Sequence, residues 1–186
     1  MTTIISIDPG MSGAVAWLYN GNLIRVEDLP IVDKNLNPSL LYDMLTSTTR
    51  PSVIVVERQQ AMPPMLQGRQ QGSASTFKTG MGYGLILGVV ASLQCPVVTP
   101  TPGSWKKTLG LSKDKERSRK LALDTWPELA DRFKFKKNEG RAEAALLGLS
   151  YYRSLPQAPD QGKQPLTKAN FELPRRVVRR KPHTTV

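Results

Sequence analysis

The chain has 186 residues and a formal net charge of +11, with 26 Lys and Arg against 15 Asp and Glu. One domain with a sizeable core is expected, and a polyanionic partner, most often nucleic acid. The single cysteine, Cys95, and single histidine, His183, exclude a disulfide framework and a Cys/His zinc site within one chain. They also argue against a hydrolase with histidine as its base, which leaves carboxylates and metal as the tools for catalysis.

No apolar run approaches the roughly 18 residues of a membrane span, and no positively charged signal-peptide start is present. No membrane association is expected. The chain reads as soluble and intracellular, in the cytoplasm of a bacterium or a phage-infected host cell, with an organelle left open.

"TIISID", residues 3 to 8, is β-branched and apolar, and "AVAWLY" after the Pro-Gly and Ser-Gly turns reads as a second strand. "NLIRVEDL" is a third, which makes an antiparallel meander. "PSLLYDMLTST" from Pro38 has helical spacing, and "SVIVVE" from Ser52 is a buried strand ending in Glu57. Helix followed by apolar strand predicts a crossover to a parallel position, and so an α/β fold.

Residues 73 to 93 read as a helix despite Gly80, Gly82, Gly84 and Gly88, each costing about 1 kcal/mol relative to alanine. Such a helix needs a smooth face, against the sheet or a second subunit, and Phe77 is expected to pack within it. "PVVTPTP" is a strand running into a proline-marked loop. A basic amphipathic helix is predicted over 113–126 and an alanine- and leucine-rich one over 140–155. Residues 156–186, with seven Lys and Arg against two acids, are expected to form a largely disordered basic tail beyond a domain of residues 1–155.

The acidic residues are unevenly placed. Asp8 and Glu57 each close an apolar strand, and no acid lies between Glu57 and Asp114. Carboxylates at the carboxyl ends of neighbouring strands can converge on one sheet edge. Glu139 and Glu143, four apart at the start of a helix, share a face, so four carboxylates can surround one point. Mg²⁺ is a hard ion that prefers oxygen, and two such ions about 3.5–4 Å apart can activate water and stabilise the leaving oxygen in phosphodiester cleavage. Each acid also has a plainer role open to it. Asp8 can be a turn residue, Glu57 can pair with Arg58 or another surface cation, and Glu139 and Glu143 can serve the helix dipole.

Five blocks, "SIDPGMSGAVAW", "VIVVERQQAMP", "STFKTGMGYGLILGVV", "TPGSWKKTLGLSKDKERSRKLA" and "KKNEGRAEAALLGLSYY", resemble in order those of RuvC-type Holliday-junction resolvases. The likeness is greatest to the branch shared by phages, bacteria and the chloroplast resolvases, and it covers about residues 3 to 153. It implies a ribonuclease-H-like mixed sheet, its first three strands antiparallel, flanked by helices. It further implies a homodimer that nicks two opposed strands of a four-way DNA junction with Mg²⁺ or Mn²⁺, two ions in each active site. Carried over by position, the metal ligands are Asp8, Glu57, Glu139 and Glu143, and the 73–93 helix lies near the dimer interface. The branch commonly reads Lys-Lys-Asp-His-Gly-Arg-Ala-Glu-Ala where this chain has Asn138 and Glu139. Other RuvC-type proteins space the final acidic pair three apart and end it in aspartate. Glu143 is therefore the firmer of the pair, and Asn138 a supporting residue at most.

Phosphate contacts are expected from Lys106, Lys107, Lys113, Lys115, Arg117 and Arg119, with Arg58, Arg69 and Lys78 as further basic candidates. The family positions place Lys106 or Lys107, and Lys113, near the scissile phosphate as catalytic lysines. The amide-rich stretch after Glu57 enters the junction centre in the resembled family, which implies base contacts from Gln59, Gln60 and Met62. The function expected is a metal-dependent, structure-selective endonuclease on branched DNA. Its competitors are a non-catalytic branched-DNA-binding module of the same fold and a less selective flap or fork nuclease. A sugar-kinase-like reading is weaker, because the chain lacks room for a second lobe.

Overall fold

The computed structural model describes residues 1–48, 50–60, 73–112 and 114–156. Strands β1 (Thr3–Ile7), β2 (Ala14–Tyr19) and β3 (Asn22–Asp28) form the expected antiparallel meander, with Ile5 opposite Trp17 and Ala16 opposite Val26. Asn20 and Gly21 join β2 to β3 with φ of 47° and 80°, both in the left-handed region. A two-residue hairpin needs that region to match the strand twist, and Asn-Gly enters it at low cost.

A two-strand hairpin, β4 (Ile31–Val32) with β5 (Asn35–Leu36), precedes α1 (Pro38–Thr46). Asn37 caps α1 by accepting from the Leu40 amide, with Pro38 in the first turn. The crossover delivers β6 (Val53–Val56) parallel to β1, Ile4 opposite Val53 and Ile7 opposite Val56. After α2 (Ser73–Ser92), β7 (Val97–Val98) adds in parallel to β6, giving the five-stranded order β3-β2-β1-β6-β7. Then come α3 (Pro102–Thr108), α4 (Lys115–Thr125), two short 3₁₀ turns (Pro127–Arg132 and Lys136–Asn138) and α5 (Glu139–Ser154).

Strand alternation sorts the core into two layers. Ile4, Ala14, Ala16, Leu18, Val53 and Val55 pack with α5, Trp105 of α3 and Ala122 of α4. Ile5, Ile7, Val15, Trp17, Ile54 and Val56 pack on the other face with Leu41 and Leu45 of α1 and Ile86 and Val90 of α2. The mixed sheet flanked by helices is the expected α/β architecture.

Three features differ from the expectations. The proline-marked loop after β7 turns at once into α3, because Thr101 caps it by accepting from the Ser104 amide and Pro102 occupies the first turn. A proline that breaks a helix from inside starts one at this position. Phe77 is not packed within its helix but is 72% exposed, its side chain directed away from the apolar face of α2 that packs on the sheet. Nor do the glycines of α2 approach the sheet: a Cβ built at Gly80, Gly82, Gly84 or Gly88 meets nothing within 4 Å. The tail expected from residue 157 onward lies outside the described residues. No helix among the described residues is long and apolar enough to cross a membrane.

Cys95 is buried, its Sγ donating to the Pro51 carbonyl oxygen at 3.2 Å. Burial pushes the thiol above its ordinary 9.0, only partly offset by Arg50. Thiolate is the reactive form, so labelling of the native chain by a disulfide reagent at pH 8 should be slow and should accelerate as pH rises past 9. Immediate labelling on adding denaturant is the matching control, and labelling as fast in the native state would contradict this burial.

Candidate active site

β1 and β6 end side by side, the Glu57 amide donating to the Ile7 carbonyl at 3.0 Å, so Asp8 and Glu57 leave adjacent parallel strands at one edge. The alternation Ile4, Ser6, Asp8 and Val53, Val55, Glu57 carries both acids toward the sheet face covered by α5. Ser6 ties that helix down by donating to the Ala144 carbonyl at 2.7 Å, buried from solvent.

The loop after Asp8 is folded around its own carboxylate. The Gly10 amide donates to Asp8 Oδ1 at 3.2 Å, and the Asp8 amide donates to the Ala14 carbonyl at 3.0 Å. A Cβ at Gly13 would penetrate the Asp8 carbonyl oxygen, and one at Gly140 would penetrate the Ser12 carbonyl oxygen. Gly13 therefore lets the loop close on itself, and Gly140 lets the first turn of α5 sit directly on that loop.

Glu57 is 8% exposed and accepts from Trp105 Nε1 at 2.8 Å. Glu143 is also 8% exposed, and Lys106 Nζ lies 2.6 Å from its Oε1. Trp105 and Lys106 are consecutive on α3, and Ser150 of α5 donates to the Trp105 carbonyl at 3.2 Å. One short helix thus links a strand-end acid to a helical one, while Glu139 opens α5 half-buried. Among the described residues, no three His, Cys, Asp or Glu side chains stand close enough together to hold a metal ion. What the arrangement shows is two nearly buried carboxylates, Glu57 and Glu143, held by the consecutive residues Trp105 and Lys106.

The basic candidates divide. Lys106 is turned inward onto Glu143 and over the Trp105 ring at 5.2 Å, while Lys107 and Arg117 are exposed. Arg58 is exposed and reaches Thr99 Oγ1 at 3.4 Å. Gln59 is half-buried and Gln60 exposed. Lys78 lines a shallow open cleft with Pro9, Gly10 and Met81, beside the Asp8 loop.

Arg119 is a brace rather than an open phosphate donor. It pairs with Glu116 and donates to the Phe133 and Lys134 carbonyls at 3.3 and 2.9 Å. Its pKa is raised first by the hydrogen bond to Glu116, then by the charges of Glu116 and Glu139, which places it close to the start of α5. Met62, Arg69, Lys113 and the Lys115 side chain lie outside the described residues, although Lys115 itself opens α4.

No family model and no curated protein matches the sequence. Solved structures do. T. thermophilus RuvC in complex with Holliday junction substrate superposes with a TM-score of 0.58 at 16% identity, covering 83% of this chain and 95% of that one. A second Thermus thermophilus RuvC structure gives 0.55 at 17% identity, covering 82% and 95%. The fold is RuvC-like. At such identities the likeness is one of fold, and the chemistry rests on the residues that the RuvC-like sheet brings together.

Sequence reasoning missed Trp105 as the donor that holds Glu57, and Gly140 as the contact that seats α5. Trp105 sits within a quoted block, but its partner is 48 residues away. The approach of Gly140 to Ser12 has no local signal at all.

Proposed function

We propose that the chain is a divalent-metal-dependent, structure-selective DNA endonuclease that resolves Holliday junctions by paired nicks in opposed strands. The observation that carries this reading is the pair Asp8 and Glu57, at the ends of adjacent parallel strands, facing the helix that supplies Glu143 in a RuvC-like sheet. The +11 charge suits a phosphate-rich partner.

The donors suit Mg²⁺ or Mn²⁺, since all four are carboxylates and hard divalent cations take oxygen ligands. Glu143 already accepts a cation, the Lys106 ammonium at 2.6 Å, where a nearly buried carboxylate demands positive charge. Asp8, Glu57, Glu139 and Glu143 would hold the metal, which when bound supplies activation of water and stabilisation of the leaving oxygen. Trp105 fixes the orientation of Glu57, and Gly10 that of Asp8. Once released from Glu143, Lys106 can polarise a phosphate oxygen, with Lys107 next to it and Lys113 seven residues on.

A homodimer agrees with α2. Gly80, Gly84 and Gly88 fall on one stripe of this apolar helix with open space above each, and Phe77 and Met81 are exposed beside them. A second copy is the partner this surface suits. The absence of a tight three-acid group among the described residues favours a second reading, a non-catalytic module that holds branched DNA. The test is a labelled four-way junction incubated with Mg²⁺, with Mn²⁺ and with chelator. Nicks in either metal and none under chelation are expected; tight binding with no nicks in either metal selects the module.

Lys106→Ala gives a separate check of the cation demand. Removing one partner of a pair whose side chains are only 13% and 10% exposed should cost about 3 kcal/mol and lower Tm by roughly 6–12 °C. Millimolar Mg²⁺ should restore more of that loss than it adds to wild type, read by thermal unfolding. An equal Mg²⁺ effect on both proteins would contradict a metal site at Glu143.

A further inference from the structure

Between α4 and α5 the segment "RFKFKKN", residues 132 to 138, carries four cations and no acid. Phe133 is buried and anchors it, whereas Phe135, two residues on, is 55% exposed. Lys134 Nζ and Lys137 Nζ lie 5.9 and 5.7 Å from the centre of the Phe135 ring, within cation–π reach.

The backbone beneath the ring is fixed. Arg119 donates to the Phe133 and Lys134 carbonyls, and the Asn138 amide donates to the Phe135 carbonyl at 2.9 Å. The segment runs straight into the first turn of α5, which bears Glu139 and seats on the Asp8 loop through Gly140. An exposed aromatic, clasped by two ammonium groups on a segment that leads into the first turn of α5, does not fill the core. It matches a strand of nucleic acid, which brings a flat base for the ring and phosphates for the lysines together.

We propose that Phe135, with Lys134 and Lys137, is a stacking platform for an unstacked base beside the branch point of the DNA. It rests on the branched-DNA partner of the reading above and adds to it a site of base contact. The ammonium groups take the phosphates flanking that base, and the ring takes its face. The contact tolerates any base, because every base offers a π face.

The test uses the full chain and a four-way junction in Ca²⁺, with 2-aminopurine placed in turn at each position beside the branch. Wild type should bind and change the fluorescence at one or more of these positions. Phe135→Ala should weaken binding about tenfold and abolish the fluorescence change without lowering Tm, and Phe135→Trp should recover both. Lys134→Ala/Lys137→Ala should lower the slope of log affinity against log salt by about one and a half to two. Binding by Phe135→Ala within twofold of wild type with the fluorescence change intact overturns the platform, as does failure of wild type to bind DNA. Wild-type binding without nicks in Mg²⁺ or Mn²⁺ overturns the nuclease reading, and the platform then stands or falls on the Phe135→Ala comparison.

Discussion

Asp8→Asn should lower metal-dependent nicking of a four-way junction by roughly a thousandfold while leaving junction binding within about twofold. Asparagine keeps the shape of the side chain and an oxygen to accept the Gly10 amide, now at 3.2 Å, so the loop and its seat under α5 are preserved. What is lost is one negative charge at the point where the two parallel strands end. A hard cation needs that charge; the DNA backbone does not, and loses a repulsion instead. Binding titrations and nicking rates measured on the same junction, with thermal unfolding as the folding control, separate the two effects. Full cleavage by the variant would remove Asp8 from the metal site.

Gly140→Ala should be strongly destabilising for the addition of a single methyl group. Its Cβ would overlap the Ser12 carbonyl oxygen and crowd Gly13 Cα, and both neighbours are backbone, with no side-chain rotamer to yield. Overpacking of a core costs about 1–3 kcal/mol, and a clash with backbone belongs at or above the top of that range. The expected fall in Tm is roughly 6–12 °C, with nicking lost even in the folded fraction because α5 must lift Glu139 and Glu143 away from Asp8. Gly103→Ala is the comparison, since a Cβ there meets nothing within 4 Å, and its Tm should stay close to wild type. Equal behaviour of the two variants would show that α5 does not depend on this close approach.

Much of the fold could be read from local pattern. Residues 3 to 8 and 52 to 57 are largely apolar runs ending in an acid, and Asn20-Gly21 marks its hairpin, so the meander and the return strand follow from short stretches. The positions of Asp8 and Glu57 at strand ends were legible for the same reason. The contacts that organise the site were not. Trp105 and Glu57, or Lys106 and Glu143, are partners 48 and 37 residues apart, and neither side chain signals the other. Helix α3 was hidden because Pro102 reads as a breaker until Thr101 is seen to cap it. Phe77 was misplaced because an apolar residue in an apolar helix suggests packing, yet the described chain supplies nothing to cover it.

The central claim is most directly tested by one cleavage experiment with Mg²⁺ at matched salt, on a four-way junction, a three-way junction, a flap and a linear duplex of shared sequence. Symmetric nicks in two opposed strands of the four-way junction, bearing 5′-phosphates, with much slower cutting of the other substrates, are the predicted result. Junction binding without any nick, or flaps and duplex cut as fast as the four-way junction, would contradict it.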